Sequence, residues 1–217
     1  MLGLAHRQSS IQSMIESMMG TWLTAVMVEQ AAAAGTRERL LLAAERLLLT
    51  ERYDDVSVRA ICAAAGANPA AVHYHFGSKE ALVAALLEDR LGSLWAERLT
   101  EVTTAHGSVS TLVDAVIEPF LGLAADPVGR LHLRLLAQFV LGRHPTMWRR
   151  HWFRMDAWVG LLPELSERES RRRWGLAFDL IIVQFGGVGT GERELSDEAV
   201  RTLRDFVVAG LTAPGEK

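Results

Sequence analysis

Cysteine and lysine are scarce in this 217-residue chain, and no run of apolar residues reaches the ~18 that a membrane helix requires. The single cysteine, Cys62, excludes an intrachain disulfide and a cysteine-rich zinc site. The formal net charge of −3 excludes a strongly basic surface, so any contact with nucleic acid has to be local. Hydrophobic residues make up 49% of the chain and charged residues 23%, values that exclude wholesale disorder.

Charge is distributed unevenly along the chain. Basic minus acidic residues give 0 for residues 36–80, −5 for 81–126 and +6 for 127–175. The cationic stretch therefore lies in the second half. A nucleic-acid site in residues 36–80 would have only modest non-specific affinity.

Residues 1–35 differ from the rest of the chain. The fairly apolar stretch from Met18 to Val28, followed by Ala31–Ala34, mimics a secretory signal with its cleavage site. Glu29 and Gln30 stand where such a signal has small residues. We expect instead an N-terminal extension that is loosely docked, or that results from a start codon placed too early.

From Thr36 onward the apolar residues follow helical spacing, as in Leu40, Ala44 and Leu48. No segment alternates with a period of two, so the sequence predicts an all-α fold. Ser166 and Glu169 have the spacing of a capping box at a helix start. After the first helix, the predicted helices cover about 58–65, 69–75, 79–104, 110–124, 127–142, 145–161, 167–187 and 197–212.

The segment from Ser57 to Leu82 carries the functional signal. It contains a helix of about eight residues, a turn with a glycine and a second short helix, which is the pattern of a helix-turn-helix. Ile61 and Val72 are apolar where the two helices have to pack, and Gly66 allows the positive φ of a tight turn. The N-terminal residues of the second helix would face the major groove of DNA.

This part of the chain resembles the DNA-binding domain of the TetR/AcrR family of bacterial one-component transcriptional regulators. The resemblance is carried by TRERLLLAAERLLLTERYDDVSV and the following SVRAICAAAGANPAAVHYHFGSKEAL, and it covers about Thr36 to Leu87. It implies an N-terminal three-helix DNA-binding domain at residues 36–82 and a C-terminal helical domain for ligand binding and dimerisation at 83–217. The remaining helices match the family only in number, length and order. One departure is Arg52, where many members have glycine.

The resemblance also implies which residues contact DNA. The starts of the first and fourth helices would bind phosphate, and the second and third helices would reach bases or backbone. The residues concerned are Thr36, Arg37, Arg59, Pro69, Ala70, Ala71, His73, Tyr74, His75 and Lys79. Proline and alanine offer no side-chain donors, so direct readout would depend on His73, Arg59 and the shape of the DNA.

Large aromatic residues are concentrated in the second half, where five of the six tryptophans fall between residues 95 and 174. Aromatics at helical spacing usually form core, but the family uses this domain as a small-molecule pocket. The charge of +6 over 127–175 favours an anionic amphiphile such as a fatty acid or acyl thioester, with a cationic drug or an antibiotic-like molecule as the alternative. The predicted pocket residues are Leu99, Phe120, Arg134, Leu136, Gln138, Phe139, Trp152, Met155, Phe178 and Ile182.

Two apolar stripes in the last two predicted helices indicate a subunit interface. Two such helices from each subunit would form a four-helix contact with twofold symmetry. The residues expected there are Trp174, Ile181, Phe185, Val200, Leu203, Val207 and Leu211.

The sequence therefore predicts a cytoplasmic, homodimeric DNA-binding regulator that represses transcription. A small apolar or amphiphilic ligand would release it from a near-palindromic operator. We expect no cofactor, metal, membrane partner or catalysis, because the chain has no nucleophile motif, phosphate loop or metal-ligand spacing. Two alternatives stay open: an all-α hydrolase or transferase that uses the aromatic cavity, and a scaffold that binds ligand or protein but not DNA.

Overall fold

The computed structural model describes residues 35–142, 148–187 and 195–215, and within these ranges every regular element is a helix, as the sequence predicts. The predicted N-terminal extension lies outside the described residues, apart from Gly35. The elements in chain order are α1 (35–50), α2 (Val58–Ala64), α3 (Ala71–His75), α4 (Lys79–Thr104), α5 (Val109–Ala125), α6 (Pro127–Leu141), a 3-10 helix (His151–Phe153), α7 (Asp156–Val159), α8 (Glu167–Phe185) and α9 (Asp197–Thr212).

Side-chain caps set most of the described helix starts. Six helices follow a serine or aspartate whose side-chain oxygen accepts a hydrogen bond from the backbone N–H three residues later, which satisfies a donor that the helix leaves free. In the predicted capping box, the Ser166 hydroxyl accepts from the N–H of Glu169. The Glu169 carboxylate binds Nε of Arg173 at 2.9 Å instead of the N–H of Ser166. The capping residues are Ser57, Ser78, Ser108, Asp126, Ser166 and Ser196.

Helices α1, α2 and α3 pack with the start of α4 around a small apolar core. The side chains of Leu40, Ile61, Val72 and Leu82 are completely buried there. Helix α4 has 26 residues, about 39 Å of helix, and continues into the second half of the molecule. One rigid element therefore belongs to both halves.

Helices α5 and α6 pack against α4 and against each other. Helix α8 packs against α5, α6, α7 and α9, and α9 also packs against α5. The core of this half contains Phe139 and Trp174, both almost completely buried. Arg204 on α9 fixes the contact with α5, since its Nε and Nη2 lie 2.5 Å and 2.9 Å from the two carboxylate oxygens of Asp114.

The structure corrects the predicted helix over 145–161. Residues 143–147 lie outside the described part, and the remainder is a 3-10 turn followed by the single-turn helix α7. Arg150 and Arg154 on either side of the 3-10 turn have extended backbone, with ψ of 143° and 129°. The backbone N–H groups of Arg149 and Arg150 donate to the carboxylate of Glu88 on α4 instead of to helix carbonyls. A tertiary contact here replaces the helix that the local sequence favours.

Candidate functional sites: a helix-turn-helix and an aromatic cavity

The turn between α2 and α3 depends on one glycine and one asparagine. Gly66 has a φ of +58°, a conformation that side chains with a Cβ adopt only under strain. Asn68 Oδ1 accepts a hydrogen bond from the N–H of Ala70 at 2.8 Å, and α3 begins at Ala71, two residues later than predicted. This short, fixed turn holds α3 at the surface of the helix-turn-helix.

Most of the predicted reading residues are exposed, either in the turn just before α3 or on the outer face of α3. Pro69, Ala70 and His73 are exposed, and Tyr74 is 80% exposed, which is unusual for a large aromatic side chain. Ala71 is corrected, because it is buried in the core beside α2 and cannot reach a base. The exposed surface is therefore narrower than the sequence predicts.

His73 has one ring nitrogen committed and one available. Its Nδ1 lies 2.8 Å from the carbonyl oxygen of Gly77, and since a carbonyl can only accept, Nδ1 carries the proton. In the neutral imidazole, Nε2 is then an acceptor on an exposed side chain. Adenine N6 and cytosine N4 present donors of that kind in the major groove.

Lys79 at the start of α4 is bound inside the domain. Its Nζ donates to the carbonyl oxygens of Tyr53 and Val56, both at 2.9 Å, and lies 4.2 Å from the centroid of the Tyr53 ring. The Tyr53 hydroxyl donates to Oε1 of Glu80 at 3.3 Å. Burial and the Glu80 carboxylate together raise the pKa of Tyr53 far above its ordinary value. Lys79 thus joins the end of the α1–α2 loop to α4.

The other predicted DNA contacts are spread over the same domain. Arg59 on α2 is exposed. Arg37 packs its guanidinium over the Phe76 ring at 5.3 Å, and Thr36 Oγ1 accepts from Nη2 of Arg39 at 3.0 Å. His75 is half-buried against the Tyr74 ring at 4.9 Å.

A cavity of about 500 Å³ lies between α4, α5, α6, α8 and the 148–158 segment. Its wall is mostly aromatic and includes four tryptophans. Ring contacts join neighbouring parts of the wall, such as Trp152 with Trp158 at 5.2 Å between centroids. The lining residues are Trp95, Val116, Phe120, Leu136, Val140, Trp148, Trp152, Phe153, Arg154, Met155, Asp156, Trp158, Arg171, Gly175, Phe178, Asp179 and Ile182.

Six of the ten predicted pocket residues line this cavity: Phe120, Leu136, Trp152, Met155, Phe178 and Ile182. The other four lie elsewhere. Leu99 and Phe139 are buried in the core, Arg134 is exposed, and Gln138 is half-buried outside the lining. Trp95, Trp148 and Trp158 were missed, although their clustering in the sequence was a usable signal.

The charged residues of the cavity wall largely bind each other. Asp156 Oδ1 lies 2.8 Å from Nη2 of Arg171, and its Oδ2 lies 3.4 Å from Nη2 of Arg154. The Arg171 guanidinium holds the pKa of the Asp156 carboxyl below its ordinary value. With Asp179, the wall carries two arginines and two aspartates and so no net charge.

The predicted dimer residues face inward in this structure. Trp174, Ile181 and Phe185 are buried within the chain, and so are Leu203, Val207 and Leu211, while Val200 is half-buried. A second subunit cannot reach the buried side chains, so we correct the expected face. The opposite sides of α8 and α9 expose Leu176, Val183 and Phe206 instead.

The described ranges hold neither a metal-binding cluster nor a membrane-spanning helix. No group of three or more His, Cys, Asp or Glu side chains in them could hold a metal ion. In the same part of the chain, no helix is long and apolar enough to cross a membrane.

The short turn, the exposed α3 and the long following helix define a helix-turn-helix DNA-binding protein. Residues 40–86 match the family model of bacterial regulatory proteins, tetR family. Residues 40–86 therefore carry a DNA-binding domain of this family, which supports a DNA-binding transcriptional regulator.

One similar solved structure is that of native NalD, the secondary repressor of the MexAB-OprM multidrug efflux pump in Pseudomonas aeruginosa. The TM-score is 0.52, the sequence identity 18%, and the match covers 82% of this chain and 96% of that chain. This likeness concerns the fold. No curated protein matches the chain at a significant level.

Proposed function

We propose that the protein is a homodimeric repressor that binds a near-palindromic operator and leaves it when a small molecule occupies the aromatic cavity. The observation that carries the DNA-binding part is the exposed outer face of α3, with Tyr74 80% exposed at the end of a helix-turn-helix. The likeness in fold to NalD, itself described as a repressor, supports repression rather than activation.

The proposed DNA contacts divide into readout and positioning. His73 would accept a hydrogen bond from a base edge, and Pro69 and Ala70 would contact apolar features such as thymine methyl groups. Tyr74, His75, Arg59, Arg37 and Thr36 would contact the backbone or a base edge. These contacts are local, in keeping with the zero net charge of residues 36–80.

Lys79 would lie near a phosphate at the N-terminus of α4, where the helix dipole also favours an anion. Because its Nζ already binds the carbonyls of Tyr53 and Val56, we assign it mainly to holding the α3–α4 corner in place. Its contribution to DNA binding would then be partly indirect.

The proposed effector is a small apolar or amphiphilic molecule with aromatic surface. A cavity of about 500 Å³ fits a ligand of drug size, and its aromatic wall favours ring stacking. Residues 127–175 carry a net charge of +6, but the two arginines that line the cavity, Arg154 and Arg171, both form ion pairs with Asp156. The cavity wall therefore offers no unpaired arginine to an anionic ligand. A neutral ligand is therefore better supported than a fatty acid.

The proposed dimer uses the outward faces of α8 and α9. Leu176, Leu180 and Val183 share one side of α8, at spacings of four and three residues. Leu180 and Phe206 line one shallow groove between α8 and α9. Packing these faces across a twofold axis would bury the exposed apolar side chains and leave α3 free in each subunit.

Selection of genomic DNA fragments on the purified protein at near-physiological salt tests the proposal. We expect enrichment of one near-palindromic site, and loss of that enrichment in Arg59→Ala. A protein that has been denatured, stripped of bound small molecules and refolded should enrich the same site at least as well. Absence of any enriched site from both preparations would refute DNA binding by the helix-turn-helix and favour the scaffold alternative.

A further inference from the structure

The segment that closes one side of the aromatic cavity is anchored to α4 by a buried carboxylate. Trp148, Trp152 and Phe153 line the cavity. Between them, the backbone N–H groups of Arg149 and Arg150 donate to the same oxygen, Oε1 of Glu88, with the Arg150 bond at 2.7 Å. The cavity-lining segment 148–153 is thus hydrogen-bonded to the long helix rather than merely packed on it.

Burying the Glu88 carboxylate between α4 and segment 148–153 costs free energy of desolvation. Glu88 is only 7% exposed, and a buried carboxylate is tolerated when hydrogen-bond donors replace its lost water. The two backbone N–H groups are those donors. Any movement that separates segment 148–153 from α4 leaves this carboxylate unsatisfied, so the two elements are held to move together.

Gly92, one turn after Glu88, leaves room for the Arg150 side chain against α4. A Cβ at that position would lie 2.6 Å from Cδ of Arg150, so the arginine stem packs directly on the helix backbone. Trp95 lies on the same face of α4 and lines the cavity. One face of α4 therefore carries the anchor, the gap for the arginine and part of the cavity wall.

The residues that follow Glu88 on α4 connect the anchor to the DNA-binding domain. Asp89 lies between Nη2 of Arg150 at 3.8 Å and Nη1 of Arg90 at 2.5 Å. Arg90 in turn binds Glu38 at 3.1 Å and Glu45 at 3.2 Å, both on α1. A continuous polar network thus runs from the cavity segment through three consecutive residues of α4 to the first helix of the DNA-binding domain.

We propose that Glu88 couples occupancy of the cavity to DNA binding, by tying segment 148–153 to the helix that enters the DNA-binding domain. This inference rests on the proposed function. A ligand that wedges between the aromatic rings displaces segment 148–153, and Glu88 transmits the displacement to α4. Glu88 is a positioning residue here, since it lines neither the cavity nor the exposed face of α3. A ligand shifts the balance between two conformations only through its different affinity for each.

The measurable quantity is the coupling factor between the two sites, which is the ratio of ligand affinities without and with DNA. N-phenyl-1-naphthylamine, a neutral aromatic dye that fluoresces in apolar surroundings, serves as the cavity probe. The operator fragment recovered by the selection serves as the DNA. For the wild-type protein we expect DNA to weaken dye binding by about fivefold or more, and dye to weaken DNA binding by the same factor.

In Glu88→Ala we expect the coupling factor to fall below about twofold, while the protein still binds dye alone and DNA alone. Glu88→Gln keeps one oxygen that can accept from the same two N–H groups and should restore much of the coupling. Gly92→Ala changes the packing of the Arg150 side chain on α4 without touching Glu88, so it tests the attachment of segment 148–153 to α4 a second way if Glu88→Ala does not fold. Glu97→Ala, an exposed change on the same helix, is the matched control.

The outcomes separate the two proposals. A wild-type coupling factor of one would overturn both ligand-controlled release and the role of Glu88. A wild-type protein that couples, together with Glu88→Ala and Gly92→Ala variants that couple equally well, would overturn the role of Glu88 alone. Loss of coupling in both variants, with retained dye and DNA binding, supports it, because a merely structural residue would weaken the separate binding events instead.

Discussion

The imidazole Nε2 of His132 on α6 lies 2.7 Å from Oε1 of Glu45 on α1. Both side chains are mostly buried, and the same carboxylate oxygen lies 3.2 Å from Nε of Arg90 on α4. Leu136, one turn further along α6, lines the aromatic cavity. One glutamate therefore joins the first helix of the DNA-binding domain to two helices that form the cavity wall.

Glu45→Ala should destabilise the protein through this contact. It removes a buried acceptor and leaves the imidazole of His132 without its carboxylate, so we expect the free energy of unfolding to fall by about 2 kcal/mol. Urea denaturation measures the change. Glu51→Ala, an exposed glutamate near the end of the same helix, should alter stability by less than about 0.5 kcal/mol. Equal effects of the two substitutions would contradict the structural role of the Glu45 contact.

Arg59→Ala and Lys79→Ala should differ in their effects on operator binding and on stability. Arg59 is exposed, so Arg59→Ala should weaken operator binding by about tenfold or more with little change in unfolding. Lys79→Ala removes two hydrogen bonds and a cation–π contact, so it should lower the free energy of unfolding by about 1–2 kcal/mol and weaken DNA binding indirectly. Anisotropy titrations and thermal melts separate these effects. A Lys79→Ala protein with wild-type stability would contradict this structural role, and weakened operator binding in the same protein would point to a direct contact with phosphate.

The stability of the DNA-binding domain should depend on pH through Glu80. Its own backbone N–H and the Ser78 hydroxyl hydrogen-bond the carboxylate and hold the pKa of Glu80 below its ordinary value of 4.5. The unfolded chain therefore binds the proton first as the pH falls, so this stabilisation is full above about pH 4.5 and is lost as the pH drops through the lower folded value. Unfolding of Glu80→Gln should show a shallower dependence on pH in that acid range. An unchanged acid slope in the variant would rule out this contribution.

Phe206→Lys tests the corrected dimer face. Phe206 is 68% exposed in the single chain, so a charge there costs the monomer little but would be buried in the proposed interface. We expect the wild-type protein to sediment as a dimer and the variant, at the same concentrations, to sediment as a monomer. Leu121→Lys, a comparable exposed apolar position on α5, is the control and should stay dimeric. A dimeric Phe206→Lys protein would place the interface elsewhere.

The sequence predicts the helices best where the signals are local. Ser166 marks the start of α8 through its own cap, and the boundaries of α4 and α9 agree with prediction. The break around residues 151–155 could not be predicted in this way. It depends on Glu88, more than sixty residues away along the chain, which takes the N–H groups that a continuous helix would use.

The predicted dimer face and the predicted DNA-reading surface also show what local sequence patterns cannot specify. A stripe such as Trp174, Ile181 and Phe185 correctly indicates a buried face, but periodicity does not say which neighbour buries it. In this chain the core of the same subunit does so. Pro69, Ala70 and His73 are exposed, whereas Ala71 is buried. Spacing alone did not separate Ala71 from the exposed residues, because a helix of five residues has too few turns to define its two faces.

Hydroxyl-radical footprinting of the selected operator tests the central claim most directly, since it maps where each subunit contacts the DNA backbone. We expect two protected half-sites related by a dyad, about 34–36 Å or one helical turn apart, and loss of both protections in Arg59→Ala at a protein concentration that only just saturates the wild-type site. A single unsymmetrical footprint, or unchanged protection by Arg59→Ala at that concentration, would contradict DNA recognition by two α3 helices in a symmetric dimer.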